Sequence, residues 1–335
     1  MALTGVVLLT LTSTNLITAA LSLFLVTAAL VLALDDADQS LEVRQVGQRF
    51  LVWLALAGCA LLIAGSLDRL YARQPGPGIL GPVAALSIVG WCILAAALPF
   101  SLWLPGLCGV RPTVAALAVG LLGCAAAALA SGSFAANPSL LVGPAVQNGL
   151  ASAAALASAL GSLVALGERQ PSRRFALLIG ANANLSLVGL AAGLPGDASG
   201  LVWALAVQGL AAALGLACLS VGEARLAGLF WRRPAVGFGY VVAALSLVGA
   251  PLTAGYVGRW VIGSSLAVQH PGLLAEFFVA SALAALPVVR LLAPIFAPTE
   301  ARPDRVSALD RAAVFVALLL IVAGLIPEPI LALLK

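Results

Sequence analysis

Polar and ionisable side chains are scarce in this chain, and their setting restricts the chemistry open to them. Arg259, Arg290 and Glu276 fall inside apolar stretches, and Asn15, Asn182, Asn184 and Gln208 are polar islands of the same kind. A charge in a bilayer interior is costly and persists only with a partner, water and a purpose, so such residues suit ion or proton movement. Three segments near them interrupt the helical pattern. The first is Leu98-Pro99-Phe100-Ser101-Leu102-Trp103-Leu104-Pro105, followed by Arg111-Pro112-Thr113. The second runs from Ser246 to Trp260 and holds Gly249, Pro251, Gly255 and Arg259. The third is Arg173-Arg174-Phe175-Ala176, with Asn182 and Asn184 about two turns further on. Proline removes a backbone donor and clashes with the preceding turn, so Pro99, Pro105 and Pro251 mark helix breaks, with Gly255 beside the last. Broken helices at corresponding places in two halves point to an ion or substrate path, against the plainer reading of kinks in a packed bundle.

Covalent, redox and metal chemistry find no footing. The five cysteines, Cys59, Cys92, Cys108, Cys124 and Cys218, lie far apart without a C-x-x-C pair, which reads as structural thiols. The one histidine, His270, sits in a loop beside Pro271. Haem, zinc and iron–sulfur centres would lack ligands, so no cofactor, catalytic residue or metal site is expected.

The elements that must position these residues follow from composition. Of 335 residues 62% are apolar and 9% charged, and mean hydropathy is +1.11. Globular domains carry about a quarter charged residues, so this chain cannot coat a soluble surface. A soluble enzyme and a disordered linker are excluded. Net charge is +4, but the basic residues are scattered singly, so no nucleic-acid partner is expected; the lipid bilayer is the surrounding partner. Apolar runs predict helices near residues 5–33, 50–67, 78–98, 113–131, 145–166, 174–194, 200–221, 236–265, 273–296 and 310–334. The first run is about thirty residues long without a basic leader, which reads as a retained span and not a signal peptide. The runs lack the alternation of a membrane barrel.

The arginines test that count. Arg44, Arg49, Arg111, Arg169, Arg173, Arg174, Arg225, Arg232, Arg233, Arg302, Arg305 and Arg311 fall on one side; Arg69, Arg73 and Lys335 fall on the other. The positive-inside rule then places both termini outside the cytoplasm, in a multi-pass protein of the inner (cell) membrane. The expected fold is all-α integral membrane, with about ten transmembrane helices in two inverted five-helix repeats and broken helices near Pro99 and Pro251. A single transmembrane domain covers 1–335, with repeats at about 1–132 and 145–296 and a C-terminal helix at about 310–334. Small residues at Cys124–Gly132 and Ala151–Ala159 suit close helix packing. Trp53, Trp91, Trp103, Trp203, Trp231 and Trp260 are expected to anchor the membrane interfaces. The Asp35–Arg49 stretch reads as the longest polar connection. Glu276 and Arg290, fourteen residues apart and so about 21 Å along a helix, cannot pair; each is expected near a membrane face or another chain.

The segment Pro99–Thr113 resembles, without a gap, the P-F-H-x-W-L-P-D-A…A-P-T signature of the antiporter-like membrane subunits of respiratory complex I (NADH:quinone oxidoreductase). That family includes the large subunits of Mrp-type sodium/proton antiporters. Residues 246–260 resemble the family's L-S-L-x-G-x-P-x-x-A-G-F-x-x-K, and Ala165–Ala176 its A-L-x-x-x-x-x-K-R-x-x-A. The resemblance implies helices five to fourteen of a fourteen-helix plan. It also implies a mid-membrane proton path and partners among the other membrane subunits of such an assembly. Matched position by position, the family's pathway glutamate falls at Asn15, its broken-helix lysine at Leu94, the next lysine at Cys124, a polar or histidine position at Asn182, and a lysine or glutamate at Arg259. The motif's histidine and aspartate are Ser101 and Gly106. Only Arg259 stays ionisable, and a guanidinium remains protonated at any working pH. The expectation is therefore a shortened, divergent member with proton translocation weakened or lost. Alternatives are an active translocator using Arg259, asparagines and water, or a stand-alone secondary carrier. Any oxidoreductase activity would belong to the assembly.

Overall fold

The computed structural model describes residues 16–34, 41–73, 77–136, 144–191, 199–220, 226–298 and 307–328. Helices occupy them in the order α1 (Leu16–Leu34), α2 (Leu41–Arg73), α3 (Pro77–Leu94), α4 (Trp103–Val110), α5 (Pro112–Ala136), α6 (Pro144–Gly167), α7 (Pro171–Ala191), α8 (Ser199–Leu219), α9 (Pro234–Leu247), α10 (Ala254–Gln269), α11 (Pro271–Leu292) and α12 (Ala308–Leu325). Short 3₁₀ turns at Phe100–Leu102 and Ala293–Phe296 and one helical turn at Leu229–Arg232 join them. No strand occurs among the described residues.

Local sequence explains where these helices start. Six of them open on proline: α3, α5, α6, α7, α9 and α11. Proline at the first helical position has its fixed φ already helical and lacks an N–H that would have had no partner there. Helix α12 instead starts with a capping box, in which Ser307 and Asp310 satisfy each other's free backbone N–H groups. Asp310 also takes the Arg233 guanidinium: Arg233 Nε donates to Oδ1 at 3.3 Å, and Nη2 bonds both Oδ2 and, at 2.6 Å, the Ser307 hydroxyl.

The lengths are those of a membrane bundle. Helices α2, α6, α8, α11 and α12 are long and apolar enough to cross a bilayer, and shorter apolar helices lie between them. Small residues let α5 and α8 meet backbone to backbone. A Cβ on Gly123 would lie 3.1 Å from Gly209 Cα, and one on Gly120 would lie 3.1 Å from Ala213 Cβ.

Both expected breaks are present, and they are built alike. Helix α3 ends at Leu94; Ala96 turns left-handed (φ 55°), its N–H reaching Ile93 O at 3.2 Å while Ala97 N–H reaches Cys92 O at 2.7 Å. Helix α9 ends at Leu247; Gly249 turns left-handed (φ 66°), its N–H reaching Ser246 O at 3.1 Å while Ala250 N–H reaches Leu245 O at 2.9 Å. Each is a Schellman motif, which satisfies carbonyls a broken helix would leave bare in lipid. The half-helices α4 and α10 continue beyond.

Several expectations need correction. The stretch Asp35–Arg49 is not all connection, because α2 is already helical at Leu41 and carries Glu42 in its first turn, where the helix dipole favours an acid. Trp91, Trp103 and Trp203 do not anchor interfaces: they are 2%, 1% and 4% exposed. Trp103 donates its indole N–H to Ile93 O at 3.3 Å, and Trp203 donates to Ala254 O at 2.8 Å. Each so ties a half-helix to its surroundings at a break. Trp231 and Trp260 are exposed. Of the thiols, Cys92, Cys108 and Cys218 are buried, Cys124 is half-buried and Cys59 is exposed.

Candidate functional site

A buried polar cluster forms where α7 passes the second break. Arg259, one turn into α10, lays its guanidinium against the end of α9. Its Nη2 donates to Asn182 Oδ1 and, at 3.2 Å, to the carbonyl of Leu247, the last residue of α9. The last carbonyls of a helix lack intrahelical partners and carry about half a negative charge between them, so the guanidinium meets a partial anion there. Among the described residues it has no carboxylate partner.

The remaining bonds spread along α7 and α8. Asn182 Nδ2 donates to Leu178 O at 2.8 Å, and Ser186 Oγ donates to Gln208 Oε1 at 3.4 Å. Gln208 Nε2 donates to Ile179 O at 3.2 Å. Arg259, Asn182, Ser186 and Gln208, with Ser246 and Gly255, line a cavity of about 20 Å³. A single water needs about 10–15 Å³ by this measure, so the cavity holds about one. The turn is shaped around the arginine: a Cβ at Gly249 would lie 2.3 Å from Arg259 Cδ, and one at Gly255 would lie 1.8 Å from Ser246 O.

The first break is tied to the same helix by a different residue. The Asn184 amide, two positions beyond Asn182, donates its nitrogen to Leu98 O and accepts from Leu98 N–H, both at 3.2 Å. Gly180 lets α7 approach the turn; a Cβ there would be 3.0 Å from Ala96 O. Around this break Leu94 and Trp103 are each 1% exposed, and Phe50 packs on Trp103 at a ring separation of 5.1 Å. The cluster at the first break is apolar, the one at the second charged.

Of the sequence-predicted positions, the structure brings Asn182 and Arg259 into contact and places Gly255 beside them. Leu94 closes α3 in the apolar core, and Cys124 sits in α5; neither lines the Arg259 cavity. Pro99 precedes the 3₁₀ turn, and Pro251 lies in the second turn. Pro105 lies within the first turn of α4 and so does not interrupt a helix as expected, because a proline there lacks only an N–H that has no helical partner. Asn15 lies outside the described residues. Asn182, Asn184 and Gln208 each bond protein groups. Asn184 as a clamp on Leu98 was not foreseen, although its spacing from Asn182 does put the two on different faces of a helix. Arg290 does not reach another element as a lone charge: its Nη1 donates to Leu166 O at 2.8 Å, at the end of α6. Glu276 is exposed on α11.

Comparison with known proteins gives a consistent match. The profile of the family described as NADH:quinone oxidoreductase/Mrp antiporter, transmembrane region, matches residues 82–284. NADH-quinone oxidoreductase subunit 14 of Thermus thermophilus is 32% identical over 282 residues, which is 81% of this chain and 63% of that protein. Subunit N of Cereibacter sphaeroides is 31% identical over 84% of this chain and 66% of its own. The chain thus spans a little under two thirds of the length of these relatives. Among solved structures, a chain of respiratory complex I from Thermus thermophilus superposes with a TM-score of 0.78 at 26% identity, covering 98% of this chain and 77% of that one. A chain of the Mrp complex from Dietzia shares the fold, with a TM-score of 0.79 at 18% identity over 99% of this chain and 75% of its own.

Proposed function

We propose, for a chain that belongs to the NADH:quinone oxidoreductase/Mrp antiporter membrane family, the role of an antiporter-like subunit in the membrane arm of a complex I-type assembly. It sits in the inner membrane beside other membrane subunits. Joining α3 with α4 and α9 with α10 turns the described helices into ten crossings, and the two matching Schellman breaks fall five crossings apart. That recurrence supports two inverted repeats, at about 1–132 and 145–296, followed by a C-terminal helix. A separation of five crossings, an odd number, inverts the second half relative to the first.

In this reading the chain completes the arm and accommodates its movements, while proton translocation through it is weakened or lost. The observation that carries the reading is the setting of Arg259. Its fixed charge is held by Asn182 and the Leu247 carbonyl, beside room for about one water. A proton relay needs neighbouring groups that take up and release protons. At the first break, the matched position is Leu94, packed in hydrocarbon.

A gentle-detergent pull-down of tagged protein with mass spectrometry tests membership; recovery of quinone-reductase-type subunits is expected, and recovery of this chain alone sinks it. Liposomes containing the purified protein test translocation. No proton flux above empty vesicles is expected; a flux abolished by Arg259→Ala establishes an active path through the second break instead.

A further inference from the structure

Away from the Arg259 cluster, a cavity of about 320 Å³ opens between α2, α4 and the start of α7, and two guanidinium groups line it. Arg49 comes from α2 and Arg173 from α7. Neither donates a hydrogen bond to any described residue, and Arg173 Nε is enclosed without an acceptor. The one acidic group in the lining, Glu168, is already engaged: its Oε1 accepts the N–H of Arg169 at 2.8 Å and of Gln170 at 3.1 Å. The Arg173 charge also acts on Glu168, but neither guanidinium has a hydrogen-bonded carboxylate among the described residues. Two such forks facing one space make a receptor for an anion of tetrahedral oxygens, which they bind through paired N–H donors.

The surroundings identify the source of that anion. Leu102, on the rim, is 64% exposed, and Trp103 and Pro105 supply further apolar wall. On α2 the residues three, seven and fourteen positions after Arg49 are Val52, Leu56 and Ile63, exposed at 63%, 48% and 48%. At helical spacing they form one apolar stripe that begins at the guanidinium and runs into the bilayer. A phosphate seated at Arg49 as part of a lipid lays its acyl chains along this stripe, whereas a free phosphate gains nothing from it. We propose that this cavity binds the phosphate group of an anionic phospholipid, with Arg49 and Arg173 as its ligands. Basic pockets between transmembrane helices are general receptors for such headgroups.

The test is native mass spectrometry of purified protein exchanged into mild detergent with equimolar phosphatidylglycerol and phosphatidylcholine. Wild type is expected to retain phosphatidylglycerol, and Arg49→Gln and Arg173→Gln each to weaken retention about tenfold, or ~1.4 kcal/mol. Arg49 is an exposed residue, so Arg49→Gln reads binding without endangering the fold. Equal retention by wild type and both variants overturns the proposal. So does a thermal-shift response to inorganic phosphate as large as that to phosphatidylglycerol and lost in Arg49→Gln, because it makes the ligand a soluble phosphate.

Discussion

The two breaks share a Schellman turn and differ in the side chains laid over it. At the first, the left-handed residue is Ala96, the helix ends on buried Leu94, and Asn184 clamps the Leu98 peptide. At the second, Gly249 and Leu252 are both left-handed, and Arg259 crosses the turn to reach Asn182 and the Leu247 carbonyl. The Schellman motif uses only N–H and C=O groups, so it forms with or without a charged side chain laid over it. What a break does therefore depends on the side chains laid over it: here one is a sealed joint and the other holds a cation.

Substitutions can press on that contrast. The largest effect is expected at Gly255, whose Cβ would come within 1.8 Å of the Ser246 carbonyl oxygen. Gly255→Ala should cost about 3 kcal/mol or more, seen as a collapse of the thermal unfolding midpoint in detergent. Near-wild-type melting of this variant would mean that the second break is not packed backbone to backbone. The asparagines come next. Asn182→Leu strips a cation of one of its two acceptors and should cost about 2–4 kcal/mol, while Asn184→Leu loses neutral bonds and should cost about 1–3 kcal/mol. Equal losses, measured in parallel, would erase the charged-versus-sealed distinction.

The turn residues should respond in opposite directions. Gly249→Ala adds both a strained φ and a contact with Arg259, so a loss of about 2 kcal/mol is expected, whereas Ala96→Gly relieves strain and should gain about 0.5 kcal/mol. The same sign for both would show that one of the turns is not left-handed. The smallest effect lies outside the spans, at Glu168. The backbone N–H of Gln170, then that of Arg169 and the charges of Arg173 and Arg174, hold its carboxyl below the usual carboxylate range. A depressed folded-state pKa stabilises above the unfolded value of ~4.3 and is lost as pH falls through the folded value. The gap in melting midpoint between wild type and Glu168→Gln should thus be present at neutral pH and close under acid; a gap that persists in acid would point to packing instead.

Much of this architecture is legible in the sequence, for reasons that differ by element. Proline announces both the breaks and the starts of six helices, because its missing N–H and fixed φ act locally. Apolar run length announces the bundle. The side-chain roles are less legible because they depend on which faces meet. The sequence shows Asn182 and Asn184 as two polar residues in one span; only the packing of α7 between the breaks gives them opposite partners. Trp103 and Trp203 fit a membrane-belt pattern by composition, yet each finds a carbonyl at a broken helix. Ala96 conceals its turn altogether, since alanine gives no sign of a left-handed backbone.

The position of α7 has a mechanical consequence. Within five residues it touches the first break at Gly180 and Asn184 and the second at Asn182. A rotation of this helix about its long axis, of the size that swings one asparagine off its partner, must disturb the other contact as well. The helix is therefore a single rod shared by the two breaks, and the contacts that tie it to them lie only about one and a half turns apart.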